Sequence, residues 1–121
     1  MPARLPVGRH ISYEGFDMLH VFAVITTKPG QRAAVLSLFH DNLAAVRAEA
    51  GCISYDPVID VPDFGAMQTP LGPDSFGVIE RWEDAQALKA HAAAPHMVEY
   101  GRLAGPMIAS RTIHVLELST I

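Results

Sequence analysis

Two hydrophobic periods alternate along the chain. Residues 18–26 form a nearly continuous run of apolar, β-branched and aromatic side chains that stops at Lys28, Pro29 and Gly30, which predicts a strand. From Gln31 to Glu49 the period lengthens. Val35, Phe39, Leu43 and Val46 fall on one helical stripe while Arg32, His40, Asp41 and Arg47 lie off it. Gly51 is placed to end that helix as the glycine beyond its last turn. A second strand is predicted over 52–60. Pro57 has no amide hydrogen to give a ladder, so this strand belongs at a sheet edge or carries a bulge. Residues 61–74 hold three prolines and two glycines and read as a long loop, of the kind that often serves function by capping a pocket. A third strand follows at 75–82, then a helix capped near Asp84 and running to about His91. Pro95 restarts a short helix to about Leu103, and a last strand covers 111–118. Residues 1–17, with two prolines, two glycines and little periodicity, read as an extended lead-in to a single domain over 18–121.

The order β-α-β-β-α-β is the split pattern of a ferredoxin-like α+β sandwich, with the first and third strands central and the second at an edge. Two helical segments cover one face of such a sheet. Yet Leu19, Val21, Ala23 and Ile25 alternate with Met18, His20, Phe22 and Val24, and Ile113 and Val115 alternate with His114, Leu116 and Leu118. Both faces are therefore apolar. Leaving one in water would exceed the few hundred Å² of apolar patch usual on a monomer. A homodimer with sheet facing sheet is expected, with Phe22 and Leu116 at its centre or on a cavity wall.

Composition narrows the class. The chain has 121 residues, 50% of them hydrophobic, and a net charge of −4, which is a folded rather than a disordered composition. Its nine Lys and Arg are scattered and form no basic stripe, so nucleic acid is not an expected partner. The single cysteine, Cys52, excludes an internal disulfide framework and fits a reducing compartment. Neither a secretory signal nor an apolar run of the roughly 18 residues needed to span a bilayer is present, so a cytoplasmic location is expected.

The motif search is mostly negative. The chain contains no phosphate-cradling glycine loop, GxSxG elbow, HExxH pair or CxxC. His91 and His96 are the only close pair among six histidines. Five residues apart with Pro95 between them, they do not match a helical zinc site. More informative is the strand parity of Phe76, Val78, Glu80 and Trp82, which puts a carboxylate and an indole on one face of a central strand. A carboxylate there is costly to bury unless paired or protonated. Glu80 and Trp82 either line a cavity or are satisfied within the core. His91 either faces back toward the sheet or caps the end of its helix, and Tyr55 and Tyr100 supply phenolic donors.

Several of these residues together resemble the antibiotic biosynthesis monooxygenase superfamily, and within it the bacterial cofactor-independent quinol monooxygenases. They are Lys28-Pro29-Gly30-Gln31, Gly51-Cys52 with Tyr55, Pro73-Asp74-Ser75, the run Ile79 to Glu83, and His91, Pro95, His96 and Met97 with Tyr100. The likeness spans about residues 18–118. It implies a dimeric α/β barrel made of two ferredoxin-like sheets, in agreement with the dimer argued from the apolar faces.

The resemblance further implies oxidation of a small hydroquinone or polyphenol by O2 with no flavin, haem or metal. The protein would supply a dry pocket, a proton acceptor and hydrogen bonds to the ring oxygens. His91 or His96 is the implied catalytic base. A phenol near pKa ~10 and an imidazole near ~6.5 differ by roughly 3.5 units, about 5 kcal/mol for a transient anion. Phe76 and Trp82 are implied as walls for the ring, Tyr55 and Tyr100 as donors to its oxygens, and Glu80 as a further substrate contact. Haem-degrading relatives carry a tryptophan where His91 stands and a histidine ligand near Gly101, so haem cleavage is not expected. Two alternatives remain open. One is an isomerase of a small polar metabolite, anchored by Arg81, Lys89, Arg102 or Arg111; the other is a non-catalytic barrel that binds aromatic metabolites.

Overall fold

A computed structural model describes residues 18–121; the expected lead-in at 1–17 lies outside them. The elements, in chain order, are β1 (Leu19–Thr27), α1 (Arg32–Arg47), β2 (Cys52–Val58), β3 (Ser75–Trp82), α2 (Ala85–Ala93), α3 (Pro95–Ala104), a 3-10 turn (Gly105–Met107) and β4 (Ile108–Leu116). The sheet order is β2-β3-β1-β4, with every neighbouring pair antiparallel. This is the ferredoxin-like α+β arrangement expected from the pattern. Pro57 sits in β2, on the edge.

Alternation along the strands separates two faces. Val21 and Ala23 of β1 and Phe76, Val78, Glu80 and Trp82 of β3 are buried, and they pair across the sheet with Tyr55 on one side and with Ile113 and Val115 on the other. Cross-strand partners share a face, so all of these look toward the helices. The stripe Val35, Phe39, Leu43 and Val46 of α1 closes the core over them. The opposite face carries Phe22, Val24, Gly77, Ile79 and Leu116. Gly77 is small for a reason visible here: a Cβ would stand 2.9 Å from Val58 Cγ2 and 3.1 Å from Phe22 Cε1. Phe22 and Leu116 both take this open face.

Among the boundaries that differ from the sequence reading, three bear on the site and its loop. Helix α1 ends at Arg47 rather than near Glu49, so Glu49 lies in the turn that leads to β2. Strand β2 stops at Val58, and Asp60 turns outward to accept the amides of Leu71 at 2.7 Å and Gly72 at 2.9 Å, cinching the long loop. Strand β4 starts at Ile108, three residues before the expected Arg111. Thr27 already pairs with Ile108 across a bulge, and the polar Ser110 and Arg111 hide this stretch from an apolar-run criterion.

Candidate functional site

The site is assembled at the turn between α1 and β2. Gly51 has φ +83°, and a Cβ on it would lie 2.5 Å from Ala87 Cβ. Its carbonyl accepts the amide of Glu83 at 2.9 Å. Only glycine permits both the left-handed backbone and this approach, which brings the start of α2 against the turn holding Glu49. The α2 N-terminus is fixed by Asp84, whose Oδ1 accepts the Ala87 amide at 2.8 Å. Ala94 then leaves helical geometry with ψ 139°, Pro95 opens α3, and the break swings His96 back toward Glu49.

Glu49 therefore meets both histidines. His91 Nδ1 lies 3.0 and 3.1 Å from its two carboxylate oxygens, and His96 Nε2 lies 2.6 Å from Oε2. An ionised carboxylate only accepts, so each of these nitrogens donates. In a neutral His91 ring this contact selects the Nδ1–H tautomer and leaves Nε2 with a lone pair, as a carboxylate orients an imidazole base in hydrolase triads. Side-chain exposure is 7% for His91, 14% for Glu49 and 30% for His96, so the three run from interior to solvent. The His91 ring is clasped by Trp82 at a centroid distance of 4.7 Å and by Tyr55 at 5.3 Å.

A cavity of about 740 Å³ opens between the sheet and the helices. Tyr55, Glu80, His91 and Tyr100 line it, with Phe39, Val21, Val78, Leu88 and Met97 among the apolar walls. Its mouth lies over β4, where the lining residues Ile113 and Val115 are 55% and 54% exposed because no helix covers that edge. Glu80 is buried, and burial pushes its carboxyl above the ordinary carboxylate range, partly offset by the Trp82 indole and by His91. Tyr100 is pushed up to about 12 by burial, with Arg111 acting in the opposite sense. Burial, reinforced by Glu80, raises Tyr55 as well. Both phenols are thus protonated donors at neutral pH, and among the described residues neither hydroxyl has a hydrogen-bond partner.

Of the residues singled out from sequence, Tyr55, Glu80, His91 and Tyr100 come together on the cavity wall. The other three do not line it. Phe76 and Trp82 are fully buried behind the wall, where Trp82 donates its indole N–H to Glu80 at 2.9 Å. His96 is outside the lining and instead bonds the Glu49 carboxylate from a position 30% exposed. Among the cations considered as anchors, Arg111 lines the cavity, whereas Arg81 bonds Ser54 and Arg102 pairs with Glu99. The loop 61–74 contributes nothing to the lining. Sequence reasoning missed Glu49, which sits 42 and 47 positions from its two histidines. Cys52 is raised by burial and by nearby Glu49 and Glu80, the opposite of an activated thiol. Among the described residues, no group of three or more His, Cys, Asp or Glu is arranged to hold a metal ion, and no helix is long and apolar enough to cross a membrane.

The profile of the antibiotic biosynthesis monooxygenase family matches residues 18–102. Among solved structures, a protein of Pseudomonas aeruginosa superposes with a TM-score of 0.72 at 28% identity, covering 89% of this chain and 100% of its own. An antibiotic biosynthesis monooxygenase does so with a TM-score of 0.69 at 27% identity, covering 84% and 98%. A protein of Mycobacterium tuberculosis shares the fold with a TM-score of 0.70 at 24% identity, covering 86% and 97%. No curated protein matches the chain significantly.

Proposed function

The chain belongs to the antibiotic biosynthesis monooxygenase family, and from that premise we propose that it oxidises a small hydroquinone or polyphenol with O2 and needs no flavin, haem or metal. The supporting observation is the pair Glu49–His91: a carboxylate holds Nδ1–H at 3.0 Å and leaves the other nitrogen of a cavity-lining imidazole as a base. His91 removes a phenolic proton, and Glu49 stabilises the imidazolium that forms. Tyr55 and Tyr100 donate to the ring oxygens, where negative charge develops, and the apolar walls keep water away from the anion. The electron-rich anion reacts with O2. One oxygen atom enters the ring to give a hydroxyquinone, and the other leaves as water. No external reductant is required, because oxidation of the quinol to the quinone level supplies the second electron pair.

The test is oxygen uptake with a panel of reduced quinones, with a chelator present and no cofactor added. Uptake above the buffer rate, with labelled oxygen appearing in the product, is the expected result. Rates equal to buffer across the panel overturn the reading.

Pairing of two chains through the open sheet face belongs to the same proposal. Ile79 and Leu116 on that face are about half exposed, and Nε2 of His20, also on it, is buried without a hydrogen-bond partner among the described residues. A second copy would cover the exposed pair. One observation favours a second reading, isomerisation of a small polar metabolite. Glu80 and His91 line one cavity and can supply an acid and a base for a proton shift without oxygen. Product formation under strict anaerobiosis separates that reaction from the first.

A further inference from the structure

The cavity has two chemically different ends. At the inner end are Glu80 and His91, with Tyr55 beside them. Toward the mouth, on β4, Arg111 is the one cation among the lining residues, and the described residues offer it no ion pair or hydrogen bond. Arg47 and Arg102, by contrast, are each tied to a carboxylate, at 3.1 and 2.7 Å. The register fixes the separation of the two ends. Glu80 stands opposite Val21 and Arg111 opposite Ile25. Four residues along β1 and two strand spacings across the sheet put their Cα atoms about 16 Å apart. Both residues belong to the helix-facing side of the sheet, Glu80 buried at one end of the cavity and Arg111 exposed at the other, so the distance between the two ends is longer than one six-membered ring. Between the ends the walls are apolar, with Val21, Ala23 and Met97 among them.

A neutral hydroquinone fills the inner end alone and leaves Arg111 without a counter-charge. We infer that the substrate is a hydroquinone bearing a short carboxylate arm, its ring hydroxyls at His91 and Tyr55 and its carboxylate at Arg111. Guanidinium matches carboxylate geometry with two parallel N–H donors, which suits it to this recognition. The acidic inner end adds orientation: Glu80 disfavours a carboxylate beside it, so the molecule enters ring first.

This inference rests on reading the cavity as a phenol site, and its test is made on binding so that the two can fail separately. The probes are 2,5-dihydroxyphenylacetate, 3-(2,5-dihydroxyphenyl)propanoate and their methyl esters, titrated calorimetrically under nitrogen at low salt. The wild-type protein is expected to bind the acids about ten times more tightly than the esters, as one charge-assisted pair at a partly exposed site allows. The preference should weaken with added salt. Arg111→Met should bind acid and ester alike, and Arg111→Lys should restore part of the preference. Equal affinity for acid and ester in the wild type, a preference that survives in Arg111→Met, or no binding of either overturns the inference. If the preference holds but oxygen uptake stays at the buffer rate, the anion site stands and the monooxygenase reading falls. If acids and esters are oxidised equally well without preference, the reverse is true.

Discussion

The indole nitrogen of Trp82 donates a 2.9 Å hydrogen bond to Oε1 of Glu80, two residues earlier on the same face of β3. The bond partly satisfies a buried carboxyl group without neutralising it. Desolvation wins, and the Glu80 pKa is raised in the folded state. A carboxyl raised in this way favours folding least when ionised. Its penalty is absent below the unfolded value of about 4.3 and grows as pH rises through the folded value. Glu80→Gln keeps an acceptor for the indole and removes the charge. We predict a higher melting temperature than wild type at pH 8, with the two curves merging near pH 4. Thermal unfolding across that range checks this, and a variant less stable at pH 8 would refute it.

Glu49 is predicted to act as a positioning residue for His91. Glu49→Gln offers one carbonyl oxygen to two imidazole donors and no charge to an imidazolium. If the proposed reaction is correct, turnover should fall about 10²-fold while substrate affinity changes little. Nitrogen NMR gives a readout that a structural role would not move. In the wild type His91 should appear as the Nδ1–H tautomer, and in Glu49→Gln as a mixture. A pure Nδ1–H signal in the variant counts against the assignment.

The two histidines should separate in the same assays. His91→Gln removes the group that faces the cavity and is expected to lower turnover by 10² or more. It should also cost stability, by about 1–3 kcal/mol, because the ring is buried and bonded to Glu49. That stability loss exceeds what a solvent-facing helix-end histidine would give. His96→Gln, on the solvent side of Glu49, should retain turnover within about tenfold. Equal losses in the two variants would contradict the separation of their roles.

Gly51→Ala is predicted to be among the most damaging single-methyl additions. The new Cβ would stand 2.5 Å from Ala87 Cβ at a residue with φ +83°. Strain of this kind costs about 1–3 kcal/mol, and relieving it pushes α2 from the Glu49 turn. Urea unfolding measures the loss. Gly30→Ala is the control for the backbone contribution alone, since it has φ +78° and no neighbour within 4 Å.

Assembly has its own test. Light scattering at micromolar concentration should give twice the chain mass of 13.1 kDa. Leu116→Asp, which places a charge on the open face, should shift the population toward the single chain. A standard interface buries roughly 800 Å² per partner, so one central charge is enough to be felt. A mass of one chain for the wild type would remove the proposed pairing.

Much of this architecture is written locally. The α1 stripe of Val35, Phe39, Leu43 and Val46 is buried as its spacing demands, and Pro57 lies on an edge strand because a missing amide hydrogen excludes it from the centre. Strand parity puts Glu80 and Trp82 on the helix-facing side for the same local reason. Periodicity specifies a face and no more. Whether a residue on that face meets a cavity or a helix depends on where the helices land. Thus Glu80 lines the cavity while Trp82 and Phe76, of the same parity, are sealed behind it. Glu49 is the sharper case: in sequence it is one more polar residue near a helix end. It meets its histidines only because α1 stops at Arg47, Gly51 admits Ala87, and the break at Ala94 turns His96 back toward it. A carboxylate that must be brought to within 3.0 Å of a ring 42 residues away is placed by packing, which no local pattern encodes.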